Sequence, residues 1–313
     1  MKVVMYHYVR NYKAEIPGLN FLHIKDFSKQ LDYFSREFGF IEKQTFFNSV
    51  IKDRTSRKGV VLTFDDGLRD HVDFVFPELK KRGLWGIFYI PGFVYQNRQM
   101  LPVQRIQYLL AKYGGTKVLL SIKELKTILK EENILEKIHA EKIYESHDDD
   151  EDSIQVKSLV NYFLDSKLKK VISIKLMEFF EESEQGLIDQ FYLSPKEIKF
   201  MHDEGMVIGS HGMTHEPMIN LTPKQSDKEI KNSFNVLENI TGPIKNRTFC
   251  YPHGLPHTFS KETEVLLEKN KVEFSFAVES RDVTDRDLNF QRQSLPRYDC
   301  NEFQHGKAYR HNF

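Results

Sequence analysis

The stretch that most constrains this chain is Val60-Val61-Leu62-Thr63-Phe64-Asp65-Asp66-Gly67. Its first half is a short run rich in β-branched and apolar residues, the pattern of a strand buried on both faces in a parallel sheet. It ends in two adjacent carboxylates and a glycine. Successive strand side chains point to opposite faces, so two neighbouring Asp residues are placed for different jobs unless the strand breaks there. Gly67 permits that break, because glycine reaches backbone conformations denied to other residues. Carboxylates at the C-terminal end of a parallel strand also sit where α/β folds place their chemistry. The structural alternative is an Asp-Asp-Gly turn that only caps a helix starting near Arg69.

The rest of the chain repeats this rhythm. Lys2–Met5 reads as a first strand ending in Tyr6-His7-Tyr8-Val9, and residues 11–22 as a loop punctuated by Pro17-Gly18. Phe27, Leu31, Phe34 and Phe38 lie at helical spacing, with Asp26 or Ser28 as candidate caps and Gly39 as the stop. A helical patch at 46–51 follows, then a helix over 69–82 that Gly83 ends, and a buried strand over 84–90. Strand, helix, strand at this spacing is a βαβ unit. From 94 to 192 the pattern becomes helical with no convincing buried strand, which predicts a helical insertion that lids or flanks a site. The run His147-Asp148-Asp149-Asp150-Glu151-Asp152 inside it reads as a solvated acidic loop. It lacks the glycine and glutamate spacing of an EF-hand Ca²⁺ loop. Alternation resumes at Ser194-Pro195 and continues through strands at 206–209, 248–251 and 273–278 to Leu295-Pro296-Arg297. The chain reads as a single domain, 1–313, carrying the insertion 94–192.

Composition excludes several classes of function. Lys+Arg and Asp+Glu both number 45, so no global basic field points to nucleic acid. Two cysteines make no disulfide framework and suit a reducing compartment. No run approaches the ~20 apolar residues of a spanning helix. Tyr6-His7-Tyr8 breaks the first apolar run too early for a signal peptide, so if Met1 is the native start the expectation is a cytoplasmic protein.

Polar groups recur at the strand ends. His211 and His215 are four residues apart and, if that segment is one helical turn, face the same way. Two His and one carboxylate make a three-ligand site for a divalent ion, zinc by default, with Co, Ni, Mn or Fe compatible with the same donors. The second Asp of the pair is then available as a general base. A hydrolase also needs an acid for the leaving group, and His7, at a strand end between tyrosines, is the first candidate. His305 and His311 are the alternatives.

Thr63-Phe64-Asp65-Asp66-Gly67 followed by Ser210-His211-x-x-x-His215 resembles the first two motifs of the NodB-homology polysaccharide deacetylases, carbohydrate esterase family 4. The resemblance covers roughly residues 1–93 and 194–300. It implies a distorted (β/α)7 barrel, with Asp65 as catalytic base and Asp66, His211 and His215 as metal ligands. The family's third motif usually carries an Arg where this chain has Cys250, and its late Leu-x-His is not evident. Met5-Tyr6-His7-Tyr8-Val9, Tyr251-Pro252-His253-Gly254 and Leu295-Pro296-Arg297 instead resemble the branch that includes poly-β-1,6-N-acetylglucosamine deacetylases. That branch implies His7 as the acid, Arg297 as the group orienting Asp65, and the backbone N–H of Tyr251 as an oxyanion donor.

The function this implies is removal of acetyl groups from an N-acetylated surface glycan or its sugar precursor, before export. Alternatives on the same fold are an O-acetyl esterase or a non-sugar amidohydrolase. A non-catalytic glycan-binding protein on a decayed hydrolase fold is a further alternative, and the intact Asp65, Asp66, His211 and His215 speak against it.

Overall fold

A computed structural model of the chain describes residues 1–129, 150–160 and 164–309. Two compact units emerge, one built from Met1–Asn11, Phe21–Arg98 and Asp189–Ala308, the other from Tyr12–Asn20, Gln99–Ile188 and the residues from Tyr309.

The first unit is organised on seven parallel strands: β1 (Lys2–Tyr6), β2 (Val60–Phe64), β3 (Ile87–Ile90), β4 (Val207–Ser210), β5 (Thr248–Cys250), β6 (Phe274–Phe276) and β7 (Tyr298–Asp299). Their order is β6-β5-β4-β3-β2-β1-β7, so the chain winds steadily across the sheet and adds its last strand beside its first. One segment reaches both edges. Leu295 bridges Phe276 of β6, and two residues of β7 pair with Val4 and Met5 of β1. The sheet therefore curls into the distorted (β/α)7 barrel expected from the sequence.

Strand parity divides the core. Val4, Tyr6, Leu62, Phe64, Phe88, Ile90 and Ile208 pack outward against helices α1 (Ile24–Glu37), α2 (Phe76–Lys81) and α3 (Pro195–Asp203). Val3, Val61, Ile87, Tyr89, Cys250, Phe274 and Phe276 form the other cluster, on the inner face. Two further helices, α4 (Pro223–Thr241) and α5 (Lys261–Lys269), accompany the later strands.

Local details depart from the sequence expectations where tertiary packing intervenes. Helix α1 starts earlier than its candidate caps: His23 Nδ1 accepts from the Lys25 N–H at 3.1 Å, which leaves Asp26 in the first turn. The 11–22 loop ends in a short strand, Leu22–His23, paired with Val9–Arg10. Helix 69–82 opens with a wider π-type stretch at His71–Val75 before α2. Ser194 and Glu197 close a capping box on α3, satisfying amide donors that the helix itself leaves open.

In the second unit the described elements are helices, among them Pro102–Tyr113, Gly115–Leu129, Glu151–Ser158 and Ser166–Phe179. The part of the acidic run at 147–149 lies outside the described residues. Its remainder is not a loop: Asp150 caps the helix Glu151–Ser158 through the Ser153 N–H, and Glu151 and Asp152 occupy its first turn. Carboxylates there complement the helix dipole. Among the described residues no helix is long and apolar enough to cross a membrane.

Candidate active site

The C-terminal ends of β1, β2, β4 and β5 bring the reactive groups together. Asp65 follows β2 on the parity of Val61 and Thr63, so its side chain enters the barrel interior. Arg297 meets it there from the closing segment, with Nη1 donating to Asp65 Oδ1 at 2.9 Å and Nη2 to Oδ2 at 2.8 Å. Nη1 also donates to Thr63 Oγ1 at 2.9 Å, and both partners of the ion pair are buried. A fork-to-fork pair of this kind fixes orientation as well as charge. Burial opposes the Asp65 charge, but the Arg297 guanidinium, His211 and the paired hydrogen bonds outweigh it and bring the carboxyl down to about 2. Burial likewise works against the Arg297 charge, and Asp65 more than compensates.

Asp66 belongs by parity to the helix-facing side. Its φ of +74°, followed by +63° at Gly67, ends the strand geometry and redirects the second carboxylate. Asp tolerates this left-handed region better than most residues, at a cost of roughly 1–2 kcal/mol. The result is a cluster in which Asp66 Oδ1 lies 3.5 Å from His211 Nε2 and 3.3 Å from His215 Nε2. Burial opposes the Asp66 charge too, yet the contact with His215 and the other imidazoles holds its carboxyl well below the ordinary range.

The two imidazoles do not come from a helical turn. Residues after β4 form an irregular loop with φ of +74° at Gly212 and +60° at His215. The rings meet at 4.8 Å between centroids because the loop folds back, and the His253 ring lies 5.3 Å from that of His215. His211 Nδ1 donates to the Cys250 carbonyl at 2.9 Å, which leaves its Nε2 as a lone pair aimed at Asp66. Burial lowers the His211 pKa to about 4, which keeps the ring neutral.

These residues fit a divalent ion. A neutral Nε2 lone pair facing an ionised carboxylate oxygen is repulsive unless a cation or a proton lies between them. The donor–donor distances also match a tetrahedral shell, whose edges are about 3.4 Å for bonds of ~2.0–2.1 Å. Asp66, His211 and His215 could each offer one ligand atom to such an ion. A second grouping, Asp65, His211 and Cys250, is equally close, but Arg297 Nη2 lies 2.8 Å from Cys250 Sγ and already places a positive charge there.

His7 is exposed at the end of β1, and its charge acts on both Asp65 and Asp66. Its backbone carbonyl accepts from the buried His71 Nε2 at 3.2 Å. Three residues along, Arg10 donates through Nε and Nη2 to the two oxygens of Asp70, at 2.8 and 2.6 Å, with both side chains buried. These contacts tie the segment after β1 to the segment after Gly67, the two pieces of chain that carry His7 and the Asp pair. Sequence reading passed over Arg10, Asp70 and His71, whose only local signal is proximity to the motif. His305 is exposed in the turn after Cys300–Glu302, and His311 lies outside the described residues.

Tyr251 is buried, with its ring stacked on Phe259 and its hydroxyl donating to the Gln293 carbonyl at 2.7 Å. Its backbone N–H was expected to face an oxyanion. It donates instead to the Phe276 carbonyl at 3.2 Å, a ladder contact between β5 and β6. An oxyanion role would require exchanging that long bond for substrate.

Curled parallel sheet, Asp pair and His pair form the arrangement that the motifs of the sequence imply. Residues 173–277 match the polysaccharide deacetylase family model, a segment that includes His211, His215, Cys250 and Tyr251. The fold is similar to that of the Streptococcus pyogenes deacetylase PplD, solved in complex with acetate, at 13% identity over 96% of this chain and 91% of that one, with a TM-score of 0.58. IcaB from Ammonifex degensii aligns at 16% identity over 95% of this chain and 90% of its own, TM-score 0.54. The BpsB deacetylase domain from Bordetella bronchiseptica aligns at 11% identity over 95% and 94%, TM-score 0.51. No curated protein matches the chain in sequence. The matched segment is about a third of the chain, and the solved structures share its fold.

Proposed function

We propose that this protein is a metal-dependent carbohydrate de-N-acetylase, releasing acetate from N-acetylated sugars of a surface glycan or its precursor. The observation that carries the reading is the division of labour between adjacent carboxylates. Asp65 is locked to Arg297, and Asp66 faces two imidazoles. The similar structures include a deacetylase solved with acetate, the product such a reaction releases.

A divalent ion held by Asp66, His211 and His215, with zinc as the default, would acidify a water and polarise the acetyl carbonyl. Asp65 is the proton acceptor in this reading. With its carboxyl at about 2 it is fully ionised near neutral pH, and Arg297 fixes its direction. So low a pKa makes it a weak base, which would suffice toward a water that such an ion acidifies. As the water oxygen bonds to the acyl carbon, its proton passes to Asp65. Cleavage of the C–N bond then leaves an amine that needs a proton, which His7 supplies from the C-terminal end of the neighbouring strand. The helical segment 94–192 is read as an insertion into this single deacetylase domain.

The test is acetate release by the purified protein, with and without added Zn²⁺ or Co²⁺, from N-acetylated oligosaccharides and nucleotide- or lipid-linked N-acetyl sugars. O-acetylated sugars run in parallel. Acetate from the N-acetylated set, abolished by chelation and restored by metal, is expected. Release from the O-acetylated set alone would replace the amidase reading with an esterase.

A further inference from the structure

The two imidazoles sit on a loop that lacks regular structure, so something else must set their spacing. Nearly every backbone polar group of residues 212–214 has a defined partner. The carbonyls of Gly212 and Met213 accept from the N–H groups of Gly92 and Phe93, at 2.9 and 2.8 Å. The Gly212 N–H donates to Ser210 Oγ at 3.1 Å. The remaining donors converge on a single atom. Glu229 Oε1 accepts from the Met213 N–H at 2.8 Å, from the Thr214 N–H, and from Thr214 Oγ1 at 2.9 Å.

Glu229 projects from α4 and is only 8% exposed. Among the described residues no basic side chain pairs with it; these three donors are its hydrogen-bond partners, and the Glu216 carboxylate is near enough to act on it. One helical turn on, Ser233 Oγ meets Ser210 Oγ at 2.6 Å, which fixes the residue before His211 to the same helix face. Gly212 packs closely here: a Cβ on it would lie 3.3 Å from Glu229 Oε1, and its φ of +74° disfavours a side chain in any case.

We infer that Glu229 is a positioning residue for the metal site, holding the 212–214 loop so that His211 and His215 present their Nε2 atoms to Asp66. The inference rests on the metal reading proposed above. Buried carboxylates that only stabilise a fold act on its free energy; this one fastens Met213 and Thr214, the loop residues that separate the two histidines of the ligand set.

The experiment uses the full chain, stripped with chelator and titrated with Zn²⁺ against a chromophoric competitor and with Co²⁺ followed by its visible absorption. Glu229→Leu removes the acceptor and is expected to weaken metal binding by roughly 10- to 100-fold, the usual effect of losing an outer-shell partner, and to shift the Co²⁺ bands. Glu229→Gln keeps an oxygen acceptor and should stay within a few-fold of wild type. Circular dichroism reports whether each variant folds. If Glu229→Leu does not fold, Thr214→Val, which deletes one of the three donors, should weaken binding measurably, and wild-type affinity there would overturn the inference. A folded Glu229→Leu with wild-type affinity and spectrum would also overturn it. Failure of the wild-type protein itself to bind either ion would instead defeat the metal reading, and this inference with it.

Discussion

Arg297 donates both terminal nitrogens of its guanidinium to the two oxygens of Asp65, at 2.9 and 2.8 Å, across 232 residues of chain. In the polysaccharide deacetylases that the sequence resembles, the guanidinium usually comes from the place of position 250, where this chain carries a buried cysteine. Here the charge arrives from the closing segment between β6 and β7, and it occupies the space beside the Cys250 thiol.

Breaking this pair from one side leaves an unpaired charge in a dry site, which typically costs about 3–5 kcal/mol. Arg297→Met should therefore lower thermal stability sharply and reduce activity at least 100-fold. Arg297→Lys should not rescue it, because a single ammonium cannot reproduce the two-pronged contact. The double variant Arg297→Met/Asp65→Asn should be more stable than Arg297→Met alone. A thermal melt of the double variant at or below that of the single one would show that the charge is not the source of the loss.

A second guanidinium at the family's usual place should be harmful in this chain. Cys250→Arg would put two like charges in one buried space, so loss of soluble folded protein is expected. Removing the first charge, in Cys250→Arg/Arg297→Ala, should recover folded protein, read as soluble yield and melting temperature. Equal yields for the single and double variants would contradict the account.

The Asp pair should separate by function. Asp66→Ala and His211→Ala are expected to lose bound metal and activity together. Asp65→Asn should retain metal, measured by elemental analysis, while turnover falls by about 10²–10⁴-fold, the range typical of a lost general base. Near-native turnover in Asp65→Asn would remove its assignment.

His7→Ala should keep metal and lose roughly 10²-fold or more in rate, since the leaving amine would have to take its proton from solvent. An unchanged rate would move the acid's role to His305 or His311.

His71 carries an acid sensitivity that can be measured by denaturation. Burial lowers its pKa from 6.5 to about 4, so well above pH 6.5 the ring is uncharged in both folded and unfolded chains and contributes no pH dependence. Below about 6.5 the unfolded chain binds a proton that the folded one does not, so stability is lost as pH falls toward about 4. The full loss is about 3 kcal/mol. His71→Gln retains an N–H for the His7 carbonyl without titrating. Urea unfolding at pH 7 and pH 5 should show a smaller loss for His71→Gln than for wild type; equal losses would discount the buried ring.

Much of the fold was legible because its signals are local. β-branched runs at 60–64, 87–90 and 207–208 announce buried strands, glycines at 39 and 83 end helices, and Ser194 with Glu197 writes a capping box three residues wide. The candidate chemistry was legible for the same reason, since Asp65-Asp66-Gly67 and His211-x-x-x-His215 each lie within a few residues. Local spacing misled at 211–215, where i,i+4 suggests a helical turn and the chain forms a loop pinned by Glu229. The Tyr251 N–H, which the family resemblance implies as an oxyanion donor, bonds the Phe276 carbonyl here.

The amino-acid sequence by itself determined the alternation of strands and helices and which residues stand at the strand ends. Both follow from periodicity and backbone preference within short windows. Only the tertiary structure decided the partners: Arg297 on Asp65, Glu229 on the loop between the histidines, Arg10 on Asp70. Those pairs depend on how far the sheet curls and where its last segment joins its two edges. No short window of sequence carries that information, because closure is a property of all seven strands at once.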